Sequence, residues 1–350
     1  MSSTATSHEN AGKWWISLAS FLLVCSLLVG VMIGPAGPAW WRVPLELINR
    51  LPFFSIHSGL TDTDWSIVWQ IRAPRVVLAA LVGSTLSIAG ASYQGVFRNP
   101  LVDPYLLGVA AGAGLGATIV ITVNRSGTST WWIDPLPLAA FIGGLIAVLA
   151  TYVVGTTGKG ERSSTSLVLS GVAVTSLATA AQTFLLQRNS DVVRQVYSWI
   201  LGRLSSATWS DVRLVIPYVV LSTIALLLHR RLLDVLRVGD DEASALGVNV
   251  SRVRLVVVIA ATLGTASVVA VSGLIGFVGI IVPHAVRLIV GTSYRVVLPV
   301  SLLFGGAFLI LADIPGRVLD NPAETPIGVV TAFLGAPFFL LILRARKTAQ

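Results

Sequence analysis

The sequence predicts an all-α membrane protein with about ten transmembrane helices, on three observations. Of its 350 residues 54% are hydrophobic and only 11% are charged, against roughly a quarter charged in ordinary soluble domains. The charges gather between long apolar runs, and most of those runs have the roughly 20-residue length that a bilayer core requires of a helix. Glycine is abundant, at 32 residues, as expected where helix backbones approach closely inside a membrane.

Runs free of Asp, Glu, Lys and Arg cover 14–41, 76–97, 104–124, 135–158, 163–187, 214–229, 255–286, 296–312 and 325–343. The first is too long for a signal-peptide core and is followed by no A-x-A-like cleavage site, so it reads as a retained span. The run 255–286 is broken by Ser272-Gly273, Gly276, Gly279 and Pro283, which suit a tight reversal between two helices. Counting it twice gives ten spans with both termini on one side. Residues 1–12 are polar and are expected to be disordered, and 13–347 form a single polytopic domain. Residues 42–71 show little periodicity and are expected to be an irregular loop. In 191–204, Val192, Val196, Trp199 and Ile200 stand at helical spacing, which predicts a short amphipathic helix on the outer surface.

Lys and Arg set the orientation. With a cytoplasmic N-terminus, fourteen of the 24 basic residues fall inside, in the direction of the positive-inside rule. Trp40, Trp41, Trp131, Trp132, Trp199 and Trp209 then lie near external span ends, where indoles prefer the interface. Because the basic residues flank apolar runs, the net charge of +8 reflects membrane topology and not nucleic-acid binding. The one cysteine, Cys25, allows no intrachain disulfide.

The most charged stretch is His229–Arg254. It holds five arginines (Arg230, Arg231, Arg237, Arg252, Arg254) and four acids (Asp234, Asp240, Asp241, Glu242). Such a segment cannot lie in hydrocarbon and must sit in water between two spans. Within it, Asp240–Leu246 begins with acids that suit the positive end of a helix dipole, and Gly247 is a natural stop. The prediction is a short helix outside the bilayer with a face free for another protein.

Other patterns carry less chemistry. Arg98-Asn99-Pro100-Leu101-Val102-Asp103-Pro104 fixes a rigid reversal. Gly108, Gly112 and Gly116, with Ala110 and Ala113, leave one side of the third span nearly free of side chains for helix packing. In the fifth span Gly171, Thr175, Thr179, Gln182 and Thr183 share one face, a polar stripe that either bonds neighbouring helices or lines a wet path. The histidines (His8, His57, His229, His284) are scattered, and no HExxH, Cys/His cluster or G-x-x-x-x-G-K-[ST] loop occurs. No metal site is predicted, and uphill transport must draw its energy from a partner or an ion gradient.

The segments QIRAPRVVLAALVG, GVFRNPLVDPYLLGVAAGAGLGA, GDDEASALGVNV, GFVGIIVPHAVRLIVG and TPIGVVTAFLGAPFFLLIL resemble, in order, the FecCD family of permease subunits. These serve ABC importers of ferric siderophores, haem and vitamin B12. The resemblance runs from about Ile71 to the C-terminus. It implies a type II ABC importer permease fold: a ten-helix subunit of the bacterial cytoplasmic membrane, paired with a second permease subunit around a central path. It also implies two cytoplasmic ATPase subunits and an external substrate-binding protein. The chain itself would bind no cofactor, ATP being used by the partner. By the same resemblance, the stretch within 230–252 that includes Gly239, Asp240, Asp241, Glu242, Ala243, Leu246 and Gly247 matches the coupling helix that sits in an ATPase cleft. Arg72, Arg75 and Arg317 match basic residues that receive carboxylates of the binding protein, although anchoring to lipid headgroups or pairing of Arg317 with Asp313 would also account for them. Thr325 departs from the family pattern, which usually has Leu there. The expectation is therefore an importer permease for an iron–siderophore complex, with haem or vitamin B12 as alternatives. An ion-coupled secondary transporter would need buried ionisable groups near mid-membrane, and Asp313, four residues from Arg317, reads better as a local ion pair. A membrane enzyme would need a nucleophile or metal constellation that the sequence lacks.

Overall fold

The computed structural model describes residues 2–35, 37–50, 58–124, 134–156, 164–319 and 323–347. His57, Trp131 and Trp132, named above, lie outside those residues, as do Arg125, Lys159 and Arg162 among the basic residues counted for orientation. Helix α1 (Ser2–Met32) contains the first apolar span, Gly12–Met32.

The stretch expected to be irregular instead holds α2 (Arg42–Asn49) and α3 (Asp62–Ile67). Glu46 secures the first, accepting from Ser58 Oγ at 2.6 Å and Arg50 Nε at 2.9 Å. A capping box opens the second: Asp64 N donates to Thr61 Oγ1 and Thr61 N to the Asp64 carboxylate, both at 3.2 Å. Such a cap satisfies the orphan donors of a helix start, which lets a helix of only six residues persist. A π-helical turn, Val68–Arg72, carries α3 into α4 (Ala73–Val96), with Pro74 in the first turn, where its missing N–H is harmless.

Next come α5 (Val109–Val123), α6 (Pro135–Thr156) and α7 (Ser164–Arg188). The amphipathic α8 (Val193–Ile200) forms where the spacing placed it. Its apolar side is turned into the protein and not onto lipid: Val192 and Val196 pack with Ile121, and Trp199 with Ala113, Ala117 and Ala140. Helix α9 (Trp209–Leu228) is followed by the short α10 (Arg230–Leu236) and α11 (Asp240–Ala245). The long run 255–286 divides between α12 (Val250–Ser272) and α13 (Val278–Val290), with the chain reversing through Gly273 at φ 70° and Phe277 at φ 69°. Helices α14 (Tyr294–Val318) and α15 (Ile327–Lys347) complete the chain. Among the described residues seven helices are long and apolar enough to cross a membrane, and α5, α13 and Ile327–Leu341 are shorter apolar helices in the remaining predicted positions.

Helices α4 and α12 form the centre: 78% of the most apolar window of each is buried, against 17% for α1 and 22% for α7. Lipid tails provide no hydrophobic drive between helices, so contact rests on close packing of small residues. A methyl on Gly83 of α4 would run into the Gly305 carbonyl of α14, and one on Gly90 into the Gly279 carbonyl of α13. The small-residue face of the third span acts likewise, with Gly112 against Gly143 and Gly116 against Ala139 of α6.

Candidate functional site

At one end of the bundle, α10 and α11 form an anchored platform. Leu233, Leu236 and Ala243 are buried beneath it. The Asp234 carboxylate accepts from Tyr294 N at 2.7 Å and Ser293 Oγ at 2.9 Å, so an acid of α10 satisfies the first turn of α14 and favours its dipole. Gly239 has φ 137°, a conformation that side chains disfavour. After α11, Gly247 N donates to Ser244 O at 2.9 Å and Val248 N to Ala243 O at 3.1 Å, with Gly247 at φ 82°, the bond pair of a Schellman stop. The predicted helix and its stop both form.

The predicted interaction residues divide into two groups. Asp241, Glu242, Leu246 and Gly247 are exposed, Leu246 at 71%. Asp240 is not a free acid: its carboxylate lies 3.1 Å from Arg98 and 3.1 Å from Arg254. It ties α11 to the turn after α4 and to the start of α12. Together with Gly239 and the buried Ala243 it positions the helix, and the exposed residues offer an acidic and apolar face.

At the opposite ends of α4 and α14, Arg72, Arg75 and Arg317 are 5%, 7% and 2% exposed. This differs from the surface positions expected of docking residues. Arg75 grips Asp313 with Nε and Nη2, each at 2.9 Å, and reaches Glu324 with Nη1 at 2.8 Å. Arg317 Nε lies 3.0 Å from the same Asp313, so the local Asp313–Arg317 pair read from the sequence is present. Nη1 of Arg317 donates to the carbonyls of Gly30 and Ile33, and Nη1 of Arg72 to those of Val31 and Met32. The guanidinium groups thus cap the end of α1, where carbonyls lack helical partners and the dipole is negative. Sequence reasoning missed the pairing of Arg75 with Asp313 and Glu324, because 238 and 249 positions separate the partners.

The polar stripe on α7 also divides. Gly171 packs against the Leu106 carbonyl, and buried Gln182 donates to Thr118 Oγ1 at 2.9 Å. Thr175 is half-buried, and Thr179 and Thr183 are exposed on this subunit. Thr183 bonds back to the Thr179 carbonyl at 2.9 Å. Gly171 and Gln182 therefore belong to packing, leaving the threonines available to a path or a neighbour.

The reversal after α4 forms where its prolines predict. Asp103 caps the 3-10 turn Pro104–Leu107 by accepting from Tyr105 N at 2.8 Å, and burial pushes its carboxyl up to about 6. The Tyr105 hydroxyl donates to Ile275 O at 3.0 Å and accepts from Ile275 N at 3.2 Å, which fixes the reversal between α12 and α13.

Among the described residues seven spanning and three shorter apolar helices, with an anchored, exposed short helix at one end and a buried ion cluster at the other, define a multi-pass membrane protein. Residues 21–345 match the FecCD transport family, and the chain belongs to it. It is 39% identical to the cobalamin import system permease protein BtuC of Halobacterium salinarum, over 95% of this chain and 96% of that one. Identity is 38% to the hemin transport system permease protein HmuU of Yersinia pestis, covering 83% and 87%. It is 35% to the Fe(3+)-citrate import system permease protein YfmE of Bacillus subtilis, covering 94% and 96%. Among solved structures, an inward-facing chain of a metal-chelate type ABC transporter superposes with a TM-score of 0.81 at 27% identity, covering 94% of this chain and 98% of that one. The fold is that of the type II ABC importer permeases.

Proposed function

We propose that the chain is the permease subunit of an ATP-driven importer whose cargo is an iron–siderophore complex. It supplies the path and the mechanical linkage, and separate subunits hydrolyse ATP. The observation that carries this reading is α11. A six-residue helix fixed by a buried face, an ion pair and a Schellman stop, yet exposing Asp241, Glu242 and Leu246, has the form of a docking element in a family of transport subunits. Two ATPase subunits on the side of α11, a second permease subunit (this chain again or a relative) and a substrate-binding protein complete the assembly. Both termini face the cytoplasm, and the chain lies in the bacterial cytoplasmic membrane. Thr175, Thr179 and Thr183 face the path. A binding protein docks at the end where Arg75 lies, its carboxylate taking the place of Glu324, which is the exposed member of that cluster. ATP binding closes the ATPase pair, moves α11 and drives a population shift between two packings of the bundle, powered by the nucleotide's different affinity for each.

The identity to a cobalamin relative over nearly the whole chain favours a second cargo, a corrinoid. Vesicles carrying the assembled transporter and its binding protein distinguish the two by accumulation of radiolabelled iron chelate or of corrinoid. The coupling role is tested by Asp241→Ala with Glu242→Ala, which leaves the Asp240 anchor intact. The double variant is expected to insert and fold normally while losing co-purification with the ATPase. ATPase binding and transport at wild-type levels would overturn the assignment.

A further inference from the structure

Beside α10, the last turns of α4 and α13 and the first turn of α14 form an open cavity of about 240 Å³ lined by Arg98, Arg237 and Arg287 with Gln94, Asn99 and Tyr294. Three observations distinguish it from an ordinary basic surface. The first is charge. Arg98 shares the Asp240 carboxylate with Arg254 at 3.1 Å each, and Arg237 shares Asp234 with Arg295 at 3.7 and 3.8 Å. Each carboxylate at the rim therefore serves two guanidinium groups, and Arg287 adds a third arginine to the lining. The second is backbone conformation. Arg98 has φ 50° at the residue after the helix cap, with Asn99 N donating to Gln94 O at 3.1 Å and Arg98 N to Gly95 O at 3.3 Å. That is the left-handed position of a Schellman stop, where glycine sits without strain. A long cationic side chain held there in place of glycine serves the ion pair with Asp240 and also sets its guanidinium on the cavity wall. The third is the surroundings: Leu288 and Ile289, next to Arg287 on the last turn of α13, are 72% and 54% exposed.

We propose that this cavity binds a phosphate oxyanion. Guanidinium forks match phosphate oxygens in geometry and charge, and the Asn99 amide and the Tyr294 hydroxyl add donors, while Gln94, whose amide donates to the Val102 and Gly279 carbonyls, accepts from Arg287 and fixes it in the wall. The phosphate comes from the headgroup of an anionic phospholipid, whose acyl chains cover Leu288 and Ile289, or from free phosphate in the water on that side. The site does not depend on the transport role proposed above.

The test uses the full-length chain in nanodiscs of phosphatidylglycerol or of phosphatidylcholine, and in detergent with inorganic phosphate. The key variant is Arg98→Gly, which removes the guanidinium while giving the backbone the residue its φ prefers, so folding is retained. Arg237→Gln serves as a second variant. Wild type is expected to retain phosphatidylglycerol over phosphatidylcholine through delipidation, and Arg98→Gly to weaken that retention on the order of tenfold, as loss of a charge-assisted hydrogen bond implies. Stabilisation by millimolar phosphate in phosphatidylcholine discs, lost in both variants, would assign free phosphate as the source. Stabilisation by phosphatidylglycerol alone would assign the lipid. Equal retention by wild type and Arg98→Gly, with melting unmoved by either anion, overturns the proposal. So does occupancy that requires the acidic side chains of a partner protein.

Discussion

Asp313→Asn tests the ion cluster at the start of α4 and the end of α14 most directly. Asp313 is 2% exposed and accepts two bonds from Arg75 at 2.9 Å and the approach of Arg317 at 3.0 Å. Asparagine keeps the shape and one acceptor oxygen but removes the charge that both guanidinium groups share. Breaking a buried pair by removing one partner costs about 3–5 kcal/mol, because an uncompensated charge stays behind. The two arginines are affected unequally. Arg75 keeps Glu324 at 2.8 Å, whose side chain is 32% exposed and therefore partly screened. Arg317 keeps only the carbonyl contacts at the end of α1. The lower part of the range, about 3 kcal/mol, is therefore expected, most of it arising at Arg317. Adding Arg317→Met to Asp313→Asn removes the stranded charge and should recover part of that loss, giving a coupling energy of about 1–3 kcal/mol in a double-mutant cycle. Intrinsic tryptophan fluorescence during detergent-driven unfolding provides the readout. If the arginines served chiefly to face an external partner, Asp313→Asn would leave unfolding within about 0.5 kcal/mol of wild type, as for an ordinary surface change. That result, or simple additivity in the cycle, would refute the cluster as a structural clamp.

Asp103 predicts a pH effect. Its folded carboxyl titrates at about 6, above the ordinary 3.8, so the folded state binds the proton more tightly, and Asp103 makes stability fall as pH rises from about 4 to about 6. At roughly 1.4 kcal/mol per pH unit the effect is about 3 kcal/mol. Asparagine caps as well as aspartate, so Asp103→Asn should remove this slope and melt higher than wild type at neutral pH; equal melting across the window would contradict it. On α7, cysteines at Thr179 and Thr183 in a cysteine-free background should react with small water-soluble thiol reagents at rates that change with nucleotide in the assembled transporter, and one at Gln182 should stay protected. Protection of Thr179 and Thr183 in every state would assign them to lipid or packing instead.

What the sequence made legible was what the bilayer and local chemistry dictate. Hydrocarbon thickness fixes span length, so charge-free runs marked all ten helices, and the glycine-punctuated run 255–286 divided at Gly273 as its residues implied. The stop at Gly247 was likewise visible, because a Schellman motif uses neighbours only. Short α2 and α3 were not, since α3 has only six residues and α2 is held by Glu46 contacts that reach Ser58 outside the helix, although Thr61 and Asp64 spelled a capping box. Partners far apart in sequence stayed hidden. Asp313 and Arg317 could be paired by their spacing, but nothing local indicates that Arg75 completes the cluster, or that Asp240 belongs to Arg98 and Arg254.

Those distant pairs connect the two ends of the molecule. Asp240 holds α11 to the turn after α4 through Arg98, and Asp234 holds α10 to the first residues of α14 through Tyr294 N. At the far ends of the same two helices, Arg75 of α4 meets Asp313 and shares it with Arg317 of α14. Between these ties the backbones are in direct contact where Gly83 faces Gly305, and a contact without intervening side chains leaves little room for one helix to shift along the other. Helices α4 and α14 are thus clamped at both ends and in the middle. On the proposed coupling role, force applied to the exposed face of α11 would act on the pair as one body and reach the cluster of Arg75, Asp313, Arg317 and Glu324 at the far ends of the two helices.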